Sequence, residues 1–344
     1  MSAANTNLGV AGNPIAHSMS PDIHHGFATS LGHDVDYQRL CFPIDGFDAG
    51  VREFFAAGGL GLNVTVPFKR EAYEYSARLD PLAAAAGAVN TLAMQHDEVV
   101  GYNTDGIGLV RDLEDRHQVK LSGIEVLVLG AGGACQGIVQ PLLDAGVRKI
   151  TIANRTLAKA VELVNHFRVL GRETFGSEML PVSSPQSASS GQGSHSAVII
   201  EALDLTQLAA SSLNAQLVIN STAIGLDQNA AKALHSLPAN LAKGRICYDL
   251  SYGAQAHFAR WAGVHQASQA FDGLGMLVEQ AAASYAIWMA KRPSTESVYQ
   301  QLRGRLGTIR NSNKLALSSR NLLLGKSALS KAEKLIQNLI NFKK

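Results

Sequence analysis

Two groups of residues in this sequence have types and spacings that could do chemistry. The first is Val126-Leu-Val-Leu-Gly130-Ala131-Gly132-Gly133-Ala134-Cys135-Gln-Gly137, an apolar run that turns through glycines into a helical pattern. A helix begun in this way points free N–H groups at whatever lies before it, an arrangement suited to the pyrophosphate of a dinucleotide. Gly130 makes the tight turn, Gly132 lets backbone approach the phosphates, and Cys135 stands at the third small position of the pattern. The following strand ends in Asn154-Arg155-Thr156, without the Asp or Glu that an NAD site sets against the ribose hydroxyl. Arg155, flanked by Asn154 and Thr156 and followed by Lys159, can instead pair with a 2′-phosphate. The expected cofactor is therefore NADP.

The second group is spread over the first third of the chain. Asn13-Pro-Ile-Ala-His-Ser18-Met-Ser20-Pro21 sets two hydroxyls between a strand end and a helix start. Gly61-Leu-Asn63-Val-Thr65-Val-Pro67-Phe-Lys69 puts Asn63 and Thr65 on one face of a strand and delivers Lys69 to its carboxyl end, where open α/β sheets bind ligands. Gly87-Ala-Val-Asn90-Thr91 and Gly101-Tyr-Asn103-Thr104-Asp105-Gly106 add amides and a carboxylate at the ends of apolar runs. Taken singly, each has an ordinary explanation as a helix cap or a solvated charge. Metal chemistry has no comparable pattern. Cys41, Cys135 and Cys247 lack CxxC spacing, the eleven histidines include no HExxH, and His24-His25 reads as a helix face.

The elements that must position these residues alternate between short β-branched runs and longer helical patterns, which argues for parallel α/β architecture. In a first block, residues 8–12, 37–43, 61–66 and 89–93 read as strands and 21–31, 46–57 and 68–76 as helices. In a second, 125–129, 149–153, 217–220 and 245–249 read as strands, with crossover helices at 134–145 and 156–170. The boundary falls near Asp105, where a helix beginning at Gly106 runs from one block into the next. A later helix, with Asp272 as its N-cap and Pro293 as its stop, places Leu274, Leu277, Ala281, Tyr285 and Trp288 along one face. Residues 176–194, rich in Ser, Gly, Gln and Pro, read as an inserted surface loop.

A length of 344 residues suits two domains. The net charge of +2 is too near neutral to argue for a nucleic-acid surface, and 46% hydrophobic against 17% charged residues excludes wholesale disorder. No basic segment precedes an apolar stretch at the start of the chain, and the longest apolar helical candidate, 273–290, carries Glu279 and Gln280 in its middle. The expectation is a soluble, cytoplasmic protein with a small-molecule partner, no membrane and no nucleic acid, either monomeric or a homodimer.

NPIAHSMSP, NVTVPFK, GAVNT, NTDG, GAGGA, NRT, INST and DGLGMLVEQA together resemble the pattern of the shikimate dehydrogenase family, in its order and at about its spacing, over roughly residues 7–307. The resemblance implies reversible, NADP-dependent interconversion of 3-dehydroshikimate and shikimate, within chorismate and aromatic amino acid biosynthesis. It implies a two-domain α/β fold with a cleft between an N-terminal substrate domain and a Rossmann-type parallel-sheet cofactor domain. The helix after Asp272 should return to the first domain, giving 1–105 with 271–307 as the substrate domain and 106–270 as the NADP domain. Carried over residue by residue, the family's substrate contacts fall on Ser18, Ser20, Asn63, Thr65, Lys69, Asn90, Asp105, Tyr252 and Gln280, and its catalytic pair on Lys69 and Asp105. Its cofactor contacts fall on Gly130 to Ala134, on Asn154, Arg155 and Thr156 around the 2′-phosphate, and on Gly273 near the nicotinamide.

Hydride delivered to a ketone carbon leaves an alkoxide, which an ammonium within hydrogen-bond reach can protonate, acting as base in the reverse direction. Lys69 suits that task, with Asp105 holding both the lysine and a substrate hydroxyl, and no metal is needed. A relative that also accepts quinate is the nearest alternative. A non-catalytic ligand sensor on the same scaffold would be expected to lack Lys69 or Asp105, and an isolated NADP module would not retain the polar first block. Residues 308–344 differ in character: Leu315-Ala-Leu-Ser318-Ser319-Arg320-Asn321 resembles a short stretch of pantothenate synthetase, with Lys314 where that family usually has Gly. Alone it is too short to bury a core, so it is expected to be an appended tail without ATP chemistry.

Overall fold

The computed structural model describes residues 6–175, 198–209, 211, 213–222, 234 and 236–307, with side chains in the helix that ends at 175 described as far as Leu170. The 176–194 loop and the 308–344 tail lie outside the described residues. The first block comprises β1 (Thr6–Gly12), α1 (Ser20–Leu31), β2 (Val35–Cys41), α2 (Phe47–Ala56), β3 (Gly59–Val64), α3 (Lys69–Tyr75), β4 (Arg78–Leu79), α4 (Pro81–Ala86), β5 (Thr91–Gln95) and β6 (Glu98–Tyr102). Its sheet runs β2-β1-β3-β5-β6-β4.

The three leading strands pair in parallel, as the alternation of patterns predicts. β5, however, runs antiparallel to both β3 and β6, so this part of the first sheet is mixed. The cause is local. His96 and Asp97 sit at φ 52° and 64°, the two-residue left-handed turn whose twist closes a tight hairpin. The reversal has a functional consequence, because it brings the start of β5 and the end of β6 to the sheet edge where β1 and β3 end. Ser18, Asn63, Asn90 and Asp105, far apart in sequence, thereby meet.

The second block comprises α5 (Asp105–Arg111), a π-helical turn (Asp112–Arg116), β7 (Glu125–Leu129), α6 (Gly133–Asp144), β8 (Lys149–Asn154), α7 (Leu157–Phe175), β9 (Ile199–Asp204), β10 (Leu217–Asn220), β11 (Ile246–Asp249), α8 (His257–Val264) and β12 (Gln269–Asp272). Every neighbouring pair in its sheet is parallel, in the order β12-β11-β10-β7-β8-β9. Val126 to Leu129 are buried on both faces, which explains a continuous apolar run in place of an alternating one. Strand order reverses between β7 and β10, so the crevice of this doubly wound sheet opens beside Gly130. β9 and β12 were not predicted, because Ile199-Ile-Glu-Ala-Leu-Asp and Gln269-Ala-Phe-Asp are short and half polar.

Two helices close the described chain, α9 (Leu274–Met289) and α10 (Glu296–Leu306). Leu274, Val278, Ala281, Ala282 and Tyr285 of α9 pack with Ile23 and Phe27 of α1 and with Val298 and Leu302 of α10, so both helices lie against the first block. Asp272 is not the N-cap that the sequence suggests. It ends β12 and Gly273 takes the cap position, although the buried Asp272 carboxylate still accepts from the Leu274 N–H at 3.4 Å; it also accepts from the Gly253 N–H at 3.2 Å and twice from the Arg303 guanidinium, at 2.8 and 2.5 Å. A buried charge requires a partner, and α10 supplies it.

A second buried carboxylate ties the two blocks together. Asp112 accepts from Tyr248 Oη at 2.6 Å and from Arg116 Nε at 3.0 Å, while Arg116 also reaches Glu279 of α9 at 3.2 Å and pairs with Glu296. Gly275 lets α9 lie directly on this group: a Cβ there would stand 1.7 Å from Asp112 Oδ1.

Candidate active site

The carboxyl ends of β1 and β3 and the reversed ends of β5 and β6 surround a cavity of about 370 Å³. Among its lining residues are Ser18, Ser20, Asn63, Thr65, Lys69, Asn90, Asp105, Tyr252 and Gln280, all the substrate-contact positions that the sequence suggests. Lys69, the first residue of α3, extends its ammonium to Asp105 Oδ2 at 2.5 Å, and this pair is 31% and 17% exposed. Asp105 begins α5 one residue earlier than predicted, its N–H donating to Asn103 Oδ1 at 3.1 Å. Asn90 donates to the other carboxylate oxygen of Asp105 at 2.8 Å and to Gln280 Oε1 at 3.3 Å. Opposite them, Ser18 and Ser20 lie 3.1 Å apart through their hydroxyls. The loop that bears them is tied to β2 by Arg39, whose guanidinium donates to the Ser18 carbonyl at 3.0 and 2.6 Å.

Sequence reasoning missed the apolar and basic parts of the wall. Val10, Ile15, Met19, Leu250, Met276 and Leu277 form an apolar flank, and His17 adds an imidazole at the rim. Nothing distinguishes these apolar residues in sequence from core positions, although His17 and Met19 alternate with residues that were singled out. Burial raises the Tyr252 phenol above its ordinary range, so it faces the cavity as a protonated hydroxyl.

The carboxyl edge of the second sheet carries the predicted cofactor positions in one line. Leu250 follows β11 and Gly273 follows β12, and both line the cavity. Gly130 follows β7 at φ 102°, where a side chain would also meet Thr222 at 2.7 Å. Arg155 follows β8. From β12 to β8 is four inter-strand steps, roughly 19 Å at about 4.8 Å each, a span suited to an extended dinucleotide. Gly132, Gly133 and Ala134 are exposed at the start of α6, and a Cβ at either glycine would meet nothing within 4 Å. This open cradle of N–H groups at a helix N-terminus fits a pyrophosphate. Asn154 donates to the Thr156 carbonyl at 2.9 Å and shapes the turn, leaving Arg155 and Lys159 exposed and outside any ion pair among the described residues. Two unpaired cations beside that turn fit a 2′-phosphate. Cys135 faces inward, its thiol pushed up to about 12 by burial, so it serves as a small packing residue in α6.

Comparison with known proteins gives a consistent result. Three family models match: the shikimate dehydrogenase substrate binding domain over residues 10–92, shikimate / quinate 5-dehydrogenase over 112–175 and the shikimate 5′-dehydrogenase C-terminal domain over 273–303. A shikimate dehydrogenase (NADP(+)) of Alkalilimnicola ehrlichii is 45% identical over 296 residues, covering 86% of this chain and 97% of its own. Among solved structures, an Ael1 enzyme from Pseudomonas putida superimposes with a TM-score of 0.73 at 33% identity, covering 87% of this chain and 98% of its own. A shikimate 5-dehydrogenase from Thermus thermophilus, in complex with NADP(H) and shikimate, gives 0.67 at 25% identity, with coverages of 87% and 98%.

Proposed function

Because the chain belongs to the shikimate dehydrogenase family, we propose that Lys69 moves the proton of the reaction and that Asp105 holds it in place. The activity is the reversible, NADP-dependent interconversion of 3-dehydroshikimate and shikimate, an oxidoreductase reaction at a CH–OH group in the shikimate pathway. The observation that carries the residue assignment is the 2.5 Å Lys69–Asp105 pair on the wall of a cavity furnished with hydroxyls and amides.

NADP, when bound, supplies the hydride in reduction and accepts it in oxidation. Gly130 to Ala134 would hold its pyrophosphate, Asn154, Arg155, Thr156 and Lys159 its 2′-phosphate side, and Gly273 the nicotinamide end beside the cavity. In reduction, the Lys69 ammonium hydrogen-bonds to the ketone oxygen and gives it a proton as negative charge develops. In oxidation, the neutral amine takes the hydroxyl proton. Asp105 anchors the amine and accepts from a neighbouring substrate hydroxyl. Asn63, Thr65, Asn90 and Gln280 pair with the ring hydroxyls, while Ser18, Ser20 and Tyr252 receive the carboxylate. A substrate lacking a matched hydroxyl leaves a buried donor or acceptor unpaired, at a cost of about 1 to 3 kcal/mol.

The two sheets support the division into a substrate domain and a cofactor domain, with the expected boundary at 270/271 moved past Asp272, because β12 pairs with β11 through that residue. No helix among the described residues is long and apolar enough to cross a membrane, and we place the enzyme in the cytoplasm. Initial rates with shikimate and quinate, each with NADP+ and with NAD+, test the reading. Turnover of shikimate with NADP+ should dominate, and its absence would refute the proposal. Arg155→Ala should weaken NADPH binding roughly 10- to 100-fold and leave NADH nearly unchanged, as expected for a hydrogen bond to a charged group. Equal losses for both cofactors, measured by titration, would instead assign Arg155 to the fold.

A further inference from the structure

Behind the cavity wall, a row of buried polar side chains runs from the edge strand β2 to the reacting pair. Tyr37 donates to Asn63 Oδ1 at 2.7 Å. Asn63 Nδ2 donates to Thr91 Oγ1 at 3.1 Å, and Thr91 donates to Asn90 Oδ1 at 2.9 Å. Asn90 Nδ2 then reaches Asp105 Oδ1 at 2.8 Å, and the other oxygen of Asp105 holds Lys69. Ser284 of α9 supports the middle of the row, accepting from Asn63 at 3.0 Å and lying 2.7 Å from Thr91. Tyr37, Thr91 and Ser284 are buried and are not among the residues that line the cavity.

The direction of this chain is fixed by groups that can act in only one way. The Thr104 N–H can only donate and contacts Asn90 Oδ1 at 2.9 Å, while the ionised Asp105 can only accept. Asn90 therefore has one orientation. The Asn90 backbone carbonyl can only accept and lies 3.3 Å from Asn63 Nδ2, which turns Asn63 Oδ1 toward Tyr37. Burial raises Tyr37 well above its ordinary range, so its proton stays available. Thr91 accepts from Asn63 Nδ2, and its one proton faces two acceptors, Asn90 Oδ1 at 2.9 Å and Ser284 Oγ at 2.7 Å, the Ser284 hydroxyl itself donating to the Gln280 carbonyl at 3.1 Å. Such a connected buried row holds both amides in one orientation.

We infer that Thr91 and Tyr37 are positioning residues for the reaction, holding Asn63, Asn90 and through them the Asp105–Lys69 pair in register from behind the substrate. This rests on the assignment of Lys69 and Asp105 as the catalytic pair. With Asn90 fixed on Oδ1, Asp105 cannot rotate, and Oδ2 presents the lysine at one place. Removing the Thr91 hydroxyl breaks the link between the two amides, leaving Asn63 held by the Asn90 carbonyl and Ser284 and Asn90 held by Thr104 and Asp105, with their relative placement no longer tied.

The test measures kcat, both KM values and thermal unfolding for Thr91→Val, Thr91→Ser, Tyr37→Phe and Lys69→Ala, and for Thr91→Val in the Lys69→Ala background. Thr91→Val should lower kcat about 10-fold with the NADP+ KM unchanged, Thr91→Ser should recover to within about twofold, and Tyr37→Phe, two links further off, should lose about threefold. In the Lys69→Ala background, Thr91→Val should cost no further kcat, because the proton-moving group is gone, and any remaining effect should fall on the shikimate KM through Asn63 and Asn90. An equal loss in both backgrounds, or a Thr91→Val enzyme with normal kcat and only a lower unfolding temperature, would overturn the inference. Near-normal turnover by Lys69→Ala would instead remove the catalytic assignment on which it stands.

Discussion

Replacing Lys69 with Ala is expected to lower kcat by about 10² to 10⁴, the usual contribution of one positioned acid–base group, with a much smaller change in the shikimate KM. The split follows from geometry. In the proposed assignment Lys69 meets the substrate at the oxygen where charge develops, whereas Ser18, Ser20, Asn63, Thr65, Tyr252 and Gln280, which line the same cavity, would supply binding at other points. The fold should tolerate the change, because Lys69 is part-exposed at the start of α3 and Asp105 keeps its hydrogen bond from Asn90. Steady-state kinetics beside a thermal melt separates the two effects. An unchanged melt with near-normal kcat would show that another group moves the proton.

Gly275→Ala should cost about 3 to 5 kcal/mol of stability, the range for breaking a buried ion pair. A helical Gly→Ala exchange ordinarily stabilises, by about 0.5 to 1 kcal/mol. Here the added methyl would fall 1.7 Å from Asp112 Oδ1 and 2.1 Å from its Cγ. Asp112 cannot withdraw, since it is fully buried and held by Tyr248 and Arg116. Either α9 lifts from the second block, or Asp112 leaves its partners with a buried charge uncompensated. Gly304→Ala in α10 is the matched control, because a Cβ there meets nothing within 4 Å. Denaturant titration should show Gly275→Ala unfolding far earlier than wild type and Gly304→Ala no earlier. Equal stability of the two variants would mean that the Asp112 contact does not tie the blocks together.

The parts of the fold legible in sequence are those written in local chemistry. The glycine turn at Gly130 and the buried run Val126 to Leu129 each specify their own geometry, and the structure has them where the sequence suggests, whereas the hydroxyl cap expected at α1 is replaced by Met19, which makes no side-chain cap hydrogen bond. The hairpin between β5 and β6 was not legible, because His96-Asp97 is not among the dipeptides that advertise a left-handed turn. Asp272 has the residue type and position of an N-cap, yet Arg303, more than thirty residues away, claims its carboxylate. The polar lining of the cavity was legible where polar side chains interrupt apolar runs at strand ends. Thr91 and Ser284 support the site from buried positions, and a single hydroxyl on a strand or helix carries no mark of the neighbour it meets across the sheet.

The central claim is that the chemistry occurs at the Lys69–Asp105 pair, between the cavity of the first sheet and the glycine cradle of the second. A crystal structure of the ternary complex with NADP+ and shikimate tests it most directly. The account predicts the reacting hydroxyl within about 3.2 Å of Lys69 Nζ, a neighbouring hydroxyl on Asp105 and the nicotinamide at Gly273, with the 2′-phosphate against Arg155. Shikimate bound with its reacting hydroxyl away from Lys69, or a cofactor lying off the edge that runs from Arg155 to Gly273, would contradict it.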